Sequence, residues 1–371
     1  MLSVIERNFF RLLRSGSFGD NEAVEPLSPW KWKRIYQLSL MHGVAAIVYD
    51  GIQNHSNDFF MQLPKALLEE WKQTTTNIET SNQQIDKTIG ELLSILNQEQ
   101  TRPILLRGQG LATIYPQPLH RTTGDIDIFF PYTPQAEKAE LWANSNGKDA
   151  IQTDRYTYQY TWNNTKIEHH STPIRLTNPI LNRKLQAIIA SEIRCCDSSY
   201  IVIDDTRIEV MPPTLALLLI IIRIAHYIIS EGISLKQIID LGMFLRKTGD
   251  KVDYVKLQEW IKTLGMEHIV RLEGDILVKF FNFSEDEIPF VNNKMPHEDT
   301  ERIRQDIFHL ANSHSEDWYF TQGKNIFVRT SNSGAMLWHI KHSARYFRTF
   351  PNETVTNFFS SFAHSLSHIE E

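Results

Sequence analysis

Cysteine is almost absent from this chain of 371 residues, and the two present, Cys195 and Cys196, are adjacent. Neighbouring residues do not easily meet disulfide geometry, and two cysteines build no secreted disulfide framework. A reducing cytoplasm is the expected compartment. A long apolar run is missing too. The most apolar window, "LALLLIIIRIAHYII" from Leu215 to Ile229, carries Arg223 and His226 inside it. It is too short and too polar to span a bilayer, so a buried core helix is expected and no membrane partner. The opening "MLSVIERNFFRLLRSG" sets Glu6, Arg7 and Arg11 among its apolar residues and reads as an amphipathic helix rather than a signal peptide. Basic charge is not in excess either. The formal net charge is −6, so no global positive field advertises nucleic acid. Internal repeats and low-complexity segments are absent.

What remains is an ordinary globular composition, 42% hydrophobic and 22% charged, with enough chain for a sizeable core and roughly two to three domains. Residues 1–100 read as helical: "WKRIYQLSLMHGVAAIVYDGI" and "KALLEEWKQTTTNIETSNQQIDKTIGELLSILNQ" both carry apolar residues at helical spacing. The pattern changes over 101–212. "RPILLRGQG" is a short apolar run ended by glycines, "LATIYPQP" a short helix stopped by Pro116, and "GDIDIFFPY" a strand. "TPQAEKAELWANSNG" predicts a helix with Thr133 as N-cap, proline at N1 and Gly147 near its end. "RYTYQYTWNNTKIEHHST" predicts a hairpin breaking at Asn163-Asn164, and "YIVIDDTRIEVMPP" a second one turning at Asp204-Asp205. From 213 to 371 the chain reads as helical again, interrupted by the polar stretch "FSEDEIPFVNNKMPHEDTERIRQ", a surface loop. The expected fold class is α+β: a small mixed sheet with helices, flanked by helical regions at both ends.

Chemistry concentrates in the central block. In "HRTTGDIDIFF" the acids Asp125 and Asp127 alternate with Ile126 and Ile128. On a strand both carboxylates share one face, about 6–7 Å apart, where they repel each other beside a core. Two readings fit: solvated acids on a half-exposed sheet, or a pair that binds a divalent cation such as Mg²⁺, a hard ion that takes carboxylate oxygens. Upstream, "LLRGQGL" ends a strand with Arg107, Gly108, Gln109 and Gly110. A glycine turn before a helix suits a phosphate, although most such turns are only turns. Glu168 in "KIEHHST" reaches the acid face if its hairpin strand returns antiparallel beside the acid strand, with Glu209 as its competitor. Arg121, directly before Thr122 and Thr123, suits either a triphosphate or a local salt bridge to Asp125.

The neighbouring histidines and aromatics carry bland readings beside the sharp ones. His169 and His170 point to opposite strand faces, so they cannot both bind one zinc in regular geometry. His170 shares the face of Glu168 and either orients it, touches substrate, or is a hydrogen-bonded strand histidine. Tyr156, Tyr158, Tyr160 and Trp162 alternate down one face, which is a base-stacking platform or, more commonly, a packed sheet face. His226 and Arg223 share a helix face and serve a cleft or the core.

Taken in order, these residues resemble the nucleotidyltransferase superfamily with its polymerase-beta-like fold. The closer likeness is to the bacterial "uncharacterised nucleotidyltransferase" family, whose members look like "LKGxxLaxxlYpxpxxRxxgDiDll". Here the stretch is "LLRGQGLATIYPQPLHRTTGDIDIFF", matching through Gly108, Leu111, Tyr115, Pro116, Arg121, Gly124, Asp125 and Asp127. The family's later "IExH" strand is matched by Ile167, Glu168 and His170, and "HYIISEGISLKQIIDLGMFL" resembles its helical "H-x-x-x-x-eG-x-x-LrQ-x-x-D" stretch. This chain has Arg107 where a lysine is common, and Gly-Gln-Gly in the turn.

The resemblance implies that Asp125 and Asp127 are Mg²⁺ ligands, with Mn²⁺ as a substitute, and that Glu168 is the third acid. It places Arg107, Gly108, Gln109, Gly110, Arg121, Thr123 and His170 around the NTP. The implied activity is transfer of an NMP group from an NTP, ATP or another, to a hydroxyl of a small molecule, a protein or an RNA, with pyrophosphate release. The alternative is a non-catalytic regulatory protein that holds a nucleotide or a partner on the same scaffold; an intact set of three acids argues against it. A polyanionic nucleic-acid acceptor is disfavoured by the charge of −6.

Overall fold

The computed structural model describes residues 2–58, 62–230, 232–291, 300–308, 346–347 and 349–356. Four helices come first: α1 (Val4–Phe18), α2 (Pro29–Met41), α3 (Ala45–Asn54) and α4 (Lys65–Gln98). The N-terminus of α1 is a capping box, Ser3 accepting from the Glu6 backbone while the Glu6 carboxylate accepts from the Ser3 N–H. The continuous helical period expected over 32–52 is cut between α2 and α3. Gly43 adopts φ +65° there, and the chain turns.

Helix α4 runs for 34 residues, through a "TTTN" stretch with poor intrinsic helix propensity. Two features carry it through. The hydroxyls of Thr74 and Thr75 bond back to the carbonyls of Glu70 and Trp71, and Ile85, Ile89, Leu92, Leu93 and Leu96 are buried against the sheet. Five such side chains at about 1.5–3 kcal/mol each outweigh a few tenths per weak residue.

The sheet elements follow: β1 (Ile104–Leu105), the short α5 (Gln109–Ala112), β2 (Asp125–Phe129), α6 (Thr133–Asn146), β3 (Lys148–Asp154), β4 (Thr157–Trp162) and β5 (Thr165–His170). Then come α7 (Pro179–Cys195), β6 (Ser199–Ile203) and β7 (Thr206–Val210). The seven strands make one mixed sheet in the order β3-β4-β5-β2-β1-β7-β6, so the fold is mixed α/β. Both expected hairpins form. Asn163 and Asn164 take φ +48° and +56°, and Asp204 and Asp205 take +44° and +63°, the two consecutive left-handed residues of a type I′ turn. Strand β3 has no counterpart in the sequence reading, because its residues are almost all exposed and show no alternation. Helix α6 begins at Thr133 with Tyr132 as the capping position, so the expected Thr133 cap shifts by one residue.

One face of the sheet is the core. Ile126, Ile128, Phe130, Tyr158, Tyr160 and Ile167 meet α4 and the alanines Ala136, Ala139 and Ala143 of α6. The period-two aromatics are therefore mostly a packed face: Tyr160 is fully buried and edge-on to Trp142, which also meets Trp162. His169 points into this core, where its Nε2 pairs with the Tyr160 hydroxyl at 3.0 Å and burial pushes its pKa down to about 3. Neither cysteine is in a disulfide, and Cys196 Sγ donates to Glu192.

After β7 come the helices α8 (Pro213–Ser230), α9 (Leu235–Thr248), α10 (Tyr254–Leu264), α11 (Glu267–Phe281) and α12 (Thr300–Phe308). By length and composition α8 alone among the described residues could cross a membrane, at mean hydropathy 1.9, yet 61% of it is buried inside the protein. Of the polar stretch 283–305, residues 292–299 lie outside the described residues, as does most of the expected helical region beyond 308.

The chain divides into two compact units, Met1–Pro173 with Ile189–Leu217 and Gly242–Val252, and Ile174–Ile188 with Leu218–Leu241 and Asp253–Glu371. In the second, the buried Glu353 carboxylate accepts the backbone N–H groups of Thr177 and Asn178, and His226 Nε2 lies 3.7 Å from it. In that unit His226 serves as a structural contact.

Candidate active site

Strand β2 lies at the centre of the sheet and turns Asp125 and Asp127 to the face opposite the core, because Ile126 and Ile128 take the core side. The third acid arrives differently from the expected geometry. Strand β5 runs parallel to β2, with Asp125 opposite Lys166, Asp127 opposite Glu168 and Phe129 opposite His170. The antiparallel partner of β5 is β4, the other arm of its hairpin. Helix α6 and strands β3 and β4 intervene between β2 and β5, and that connection makes the parallel pairing reachable. Glu209 does not compete. It is held by Arg102, whose Nε lies 3.0 and 3.1 Å from its two oxygens.

Asp127 is 2% exposed and is met on both oxygens. Arg107 donates Nε to Oδ2 at 2.5 Å and Nη2 to Oδ1 at 2.7 Å, and His170 Nε2 is 2.8 Å from Oδ1. Glu168 takes the Lys166 ammonium at 2.5 Å and lies 3.6 Å from His170 Nε2. Lys166, Glu168 and His170 alternate along β5 and share one face, so the same period-two rule that exposes Glu168 also predicts Lys166; the sequence reading passed it over.

The two central carboxylates differ electrostatically. Arg107 and Lys166 spend their hydrogen bonds on Asp127 and Glu168, and Asp125 feels them only through space. Burial first, then the charge of Asp127, raises the Asp125 carboxyl above the ordinary range; Arg107 and Lys166 oppose this without cancelling it. Arg107 shows the complementary effect. Burial disfavours its charge most, but Asp127, Asp125 and Glu168 together raise its pKa.

One oxygen or nitrogen each from Asp127, Glu168 and His170 lie within 4.8 Å of one another, a set that could hold a metal ion. The two carboxylates offer the oxygen donors that a hard divalent cation takes, and the imidazole adds a softer nitrogen donor. Asp125, expected as a ligand together with Asp127 and Glu168, lies two residues before Asp127 on the same face; His170, expected at the nucleotide, stands inside the set.

The glycine turn is built from behind. Gly108 adopts φ +60° and ψ −117°, a conformation that a Cβ disfavours, and an added Cβ would sit 3.1 Å from Thr123 Cγ2. Gln109 does not face outward: it is 2% exposed, donates to the Asn82 carbonyl at 3.2 Å and accepts from the Thr123 hydroxyl at 3.1 Å. Arg121 is also buried, donating to the Gly108 carbonyl at 3.0 Å and to Thr123 at 3.2 Å. Gln109, Arg121 and Thr123 thus shape the turn. Helix α4 completes the support. Asn82 donates to the carbonyls of Leu119 and Arg121, and Asp86 bonds Gln109. Burial and the charge of Asp204 push the Asp86 carboxyl up to about 6. No sequence motif marks Asn82 and Asp86. Their one signal is a polar i, i+4 pair beside the apolar stripe of α4.

His120, at the start of the same loop, is clamped between acids: Nδ1 is 2.8 Å from Asp50 and Nε2 2.8 Å from Glu79. Burial lowers its pKa, but the two acids outweigh burial and raise it. A raised folded pKa contributes stability fully below the unfolded value near 6.5, and the contribution is lost as pH rises through the folded pKa. We expect His120→Gln to lower the thermal midpoint most at pH 5.5–6, with the gap to wild type narrowing in alkaline buffer. A gap that widens with pH would contradict this assignment.

Of three comparisons with known proteins, one gave a match. Neither a search of curated proteins nor one of solved structures gave a match. A family model described as "Uncharacterised nucleotidyltransferase" matches residues 28–282, a span that takes in the glycine turn, both acids of β2 and all of β5. The chain belongs to the uncharacterised nucleotidyltransferase family.

Proposed function

We propose that the protein transfers a nucleoside monophosphate from an NTP to a hydroxyl of an acceptor, releasing pyrophosphate, with Mg²⁺ as its cofactor. The observation that carries the reading is the acid face itself: two buried or half-buried carboxylates of β2 with a third beside them on β5, and a charge on Asp125 that no cation among the described residues meets directly. Such a cluster is costly unless a divalent cation joins it. Asp127, Glu168 and His170 would hold the ion, with Asp125 beside them. Bound there, it would supply charge neutralisation at the phosphates and activation of the hydroxyl.

The chain's own groups supply the rest. Glu168 accepts the proton of the attacking hydroxyl; the new bond forms from that oxygen to the α-phosphorus as the bond to the β-phosphate oxygen breaks and pyrophosphate leaves. Arg107 and Lys166 lie at this face as the cations for phosphate oxygens. We assign the polymerase-beta-like superfamily as the parent fold and a bacterial cytoplasm as the setting, in keeping with the motif order and the two unbridged cysteines.

A second reading has its own observation. Arg107 already neutralises Asp127 through two hydrogen bonds, which is how a non-catalytic scaffold would replace a lost cation. Pyrophosphate release separates the two. With Mg²⁺, each NTP in turn and a cell extract as acceptor source, the transferase reading expects release that Asp125→Ala/Asp127→Ala abolishes. Nucleotide binding without release in any extract would favour the scaffold.

A further inference from the structure

Asp127 is claimed twice. The carboxylate that lends one oxygen to the metal-binding set accepts hydrogen bonds from Arg107 on both of its oxygens, at 2.5 and 2.7 Å. A guanidinium and a divalent cation cannot share one buried carboxylate without strong mutual repulsion, since little water is present to screen them. The competing residue is also the one directly before Gly108, at the turn around which the family resemblance places the triphosphate. A lysine there could present only a point charge, whereas arginine fits a carboxylate or a phosphate equally well through its planar fork.

We propose that Arg107 is a positioning residue that exchanges partners: it holds Asp127 while the site is empty of nucleotide and moves to the triphosphate when one arrives, releasing Asp127 to the cation. The inference rests on the nucleotidyltransferase reading and deepens it. It makes cation and triphosphate obligate companions. The cation alone meets an occupied carboxylate, and the triphosphate supplies the anion that draws the arginine away. His170 Nε2, 2.8 Å from Asp127 and 3.6 Å from Glu168, stands beside both acids and joins them on the cation once Arg107 has moved. Lys166 stands in the same relation to Glu168 and is the second internal counterion.

The test uses Mn²⁺ alone, read by the electron paramagnetic resonance of the unbound ion, and inorganic tripolyphosphate at saturating Mg²⁺, read by calorimetry. Both are applied to the full chain as wild type, Arg107→Gln and Arg107→Lys. Wild type is expected to bind Mn²⁺ weakly. Arg107→Gln is expected to bind it roughly tenfold or more tighter, and tripolyphosphate roughly tenfold or more weaker. Arg107→Lys should lie between the two in both assays. Opposite signs in the two assays are the signature, because a merely structural role would weaken both. If Arg107→Gln does not fold well, Arg107→Lys alone carries the same sign test, and the rise in its thermal midpoint on adding Mn²⁺ must exceed that of wild type. Equal Mn²⁺ affinity in wild type and both variants would overturn the exchange while leaving the nucleotidyltransferase reading intact. Failure of every variant to take up Mn²⁺, with tripolyphosphate or without, would overturn that reading as well.

Discussion

Asp127→Asn is expected to reduce nucleotidyl transfer by roughly a thousandfold, the largest loss of any single substitution at the site. The amide keeps the shape of the carboxylate but gives up its charge, and about 4 kcal/mol of transition-state stabilisation corresponds to that factor. Asp127 is singled out because it is the most buried of the three acids and touches both Arg107 and His170. The same change leaves the Arg107 guanidinium facing a neutral group, so stability should fall by roughly 3–5 kcal/mol, as when one partner of a buried ion pair is removed. Asp125→Asn should behave differently. Relieving a charge already disfavoured by burial and by Asp127 should leave the protein as stable as wild type, or slightly more so, while transfer still collapses. Initial rates of pyrophosphate release and urea unfolding on the two variants check both halves. Equal loss of stability in the two would show that Asp127 and Asp125 are not electrostatically distinct.

The second large effect lies in the N-terminal helices. Helices α1 and α3 cross at two glycines: a Cβ on Gly16 would sit 1.9 Å from the Ile47 carbonyl oxygen, and one on Gly51 would sit 2.0 Å from the Leu12 carbonyl oxygen. These are backbone atoms in packed helices, so nothing flexible can yield. Gly51→Ala should therefore force the helices apart and cost about 3 kcal/mol or more, at the upper end of overpacking penalties. The thermal midpoint should drop by roughly 6–12 °C. Gly124→Ala is the control, since nothing lies within 4 Å of its added Cβ. Matching midpoints for the two variants would contradict the close crossing.

How much of this the amino-acid sequence carries depends on whether a feature is local. Both hairpin turns were readable, because paired Asn-Asn and Asp-Asp residues tolerate the left-handed backbone that a type I′ turn requires. The shared face of Asp125 and Asp127 followed from period two alone. Strand β3 was not readable, because a strand exposed along almost its whole length at a sheet edge has no alternation to show. The direction of β5 was hidden for another reason. A hairpin fixes the pairing of its own two arms, but which other neighbour β5 meets, and in which sense, is set by the crossover through α6. Gln109 and Arg121 illustrate the limit at the site. Their positions in the motif were plain, but only the depth of Asn82 and Asp86 behind the turn reveals that both side chains point inward. The bidentate grip of Arg107 on Asp127 joins residues 20 positions apart, and no periodicity announces it.

The most direct test of the central claim is the fate of two labels. Wild-type protein with Mg²⁺ and a cell extract is given each NTP carrying ³²P at either the α or the γ position, and products are separated from nucleotide. Nucleotidyl transfer predicts that the α label appears on an acceptor, that the γ label leaves as pyrophosphate, and that both events vanish in Asp125→Ala/Asp127→Ala. The γ label on the acceptor, with the α label retained in the nucleoside diphosphate, would show a phosphoryl transfer instead and contradict the account.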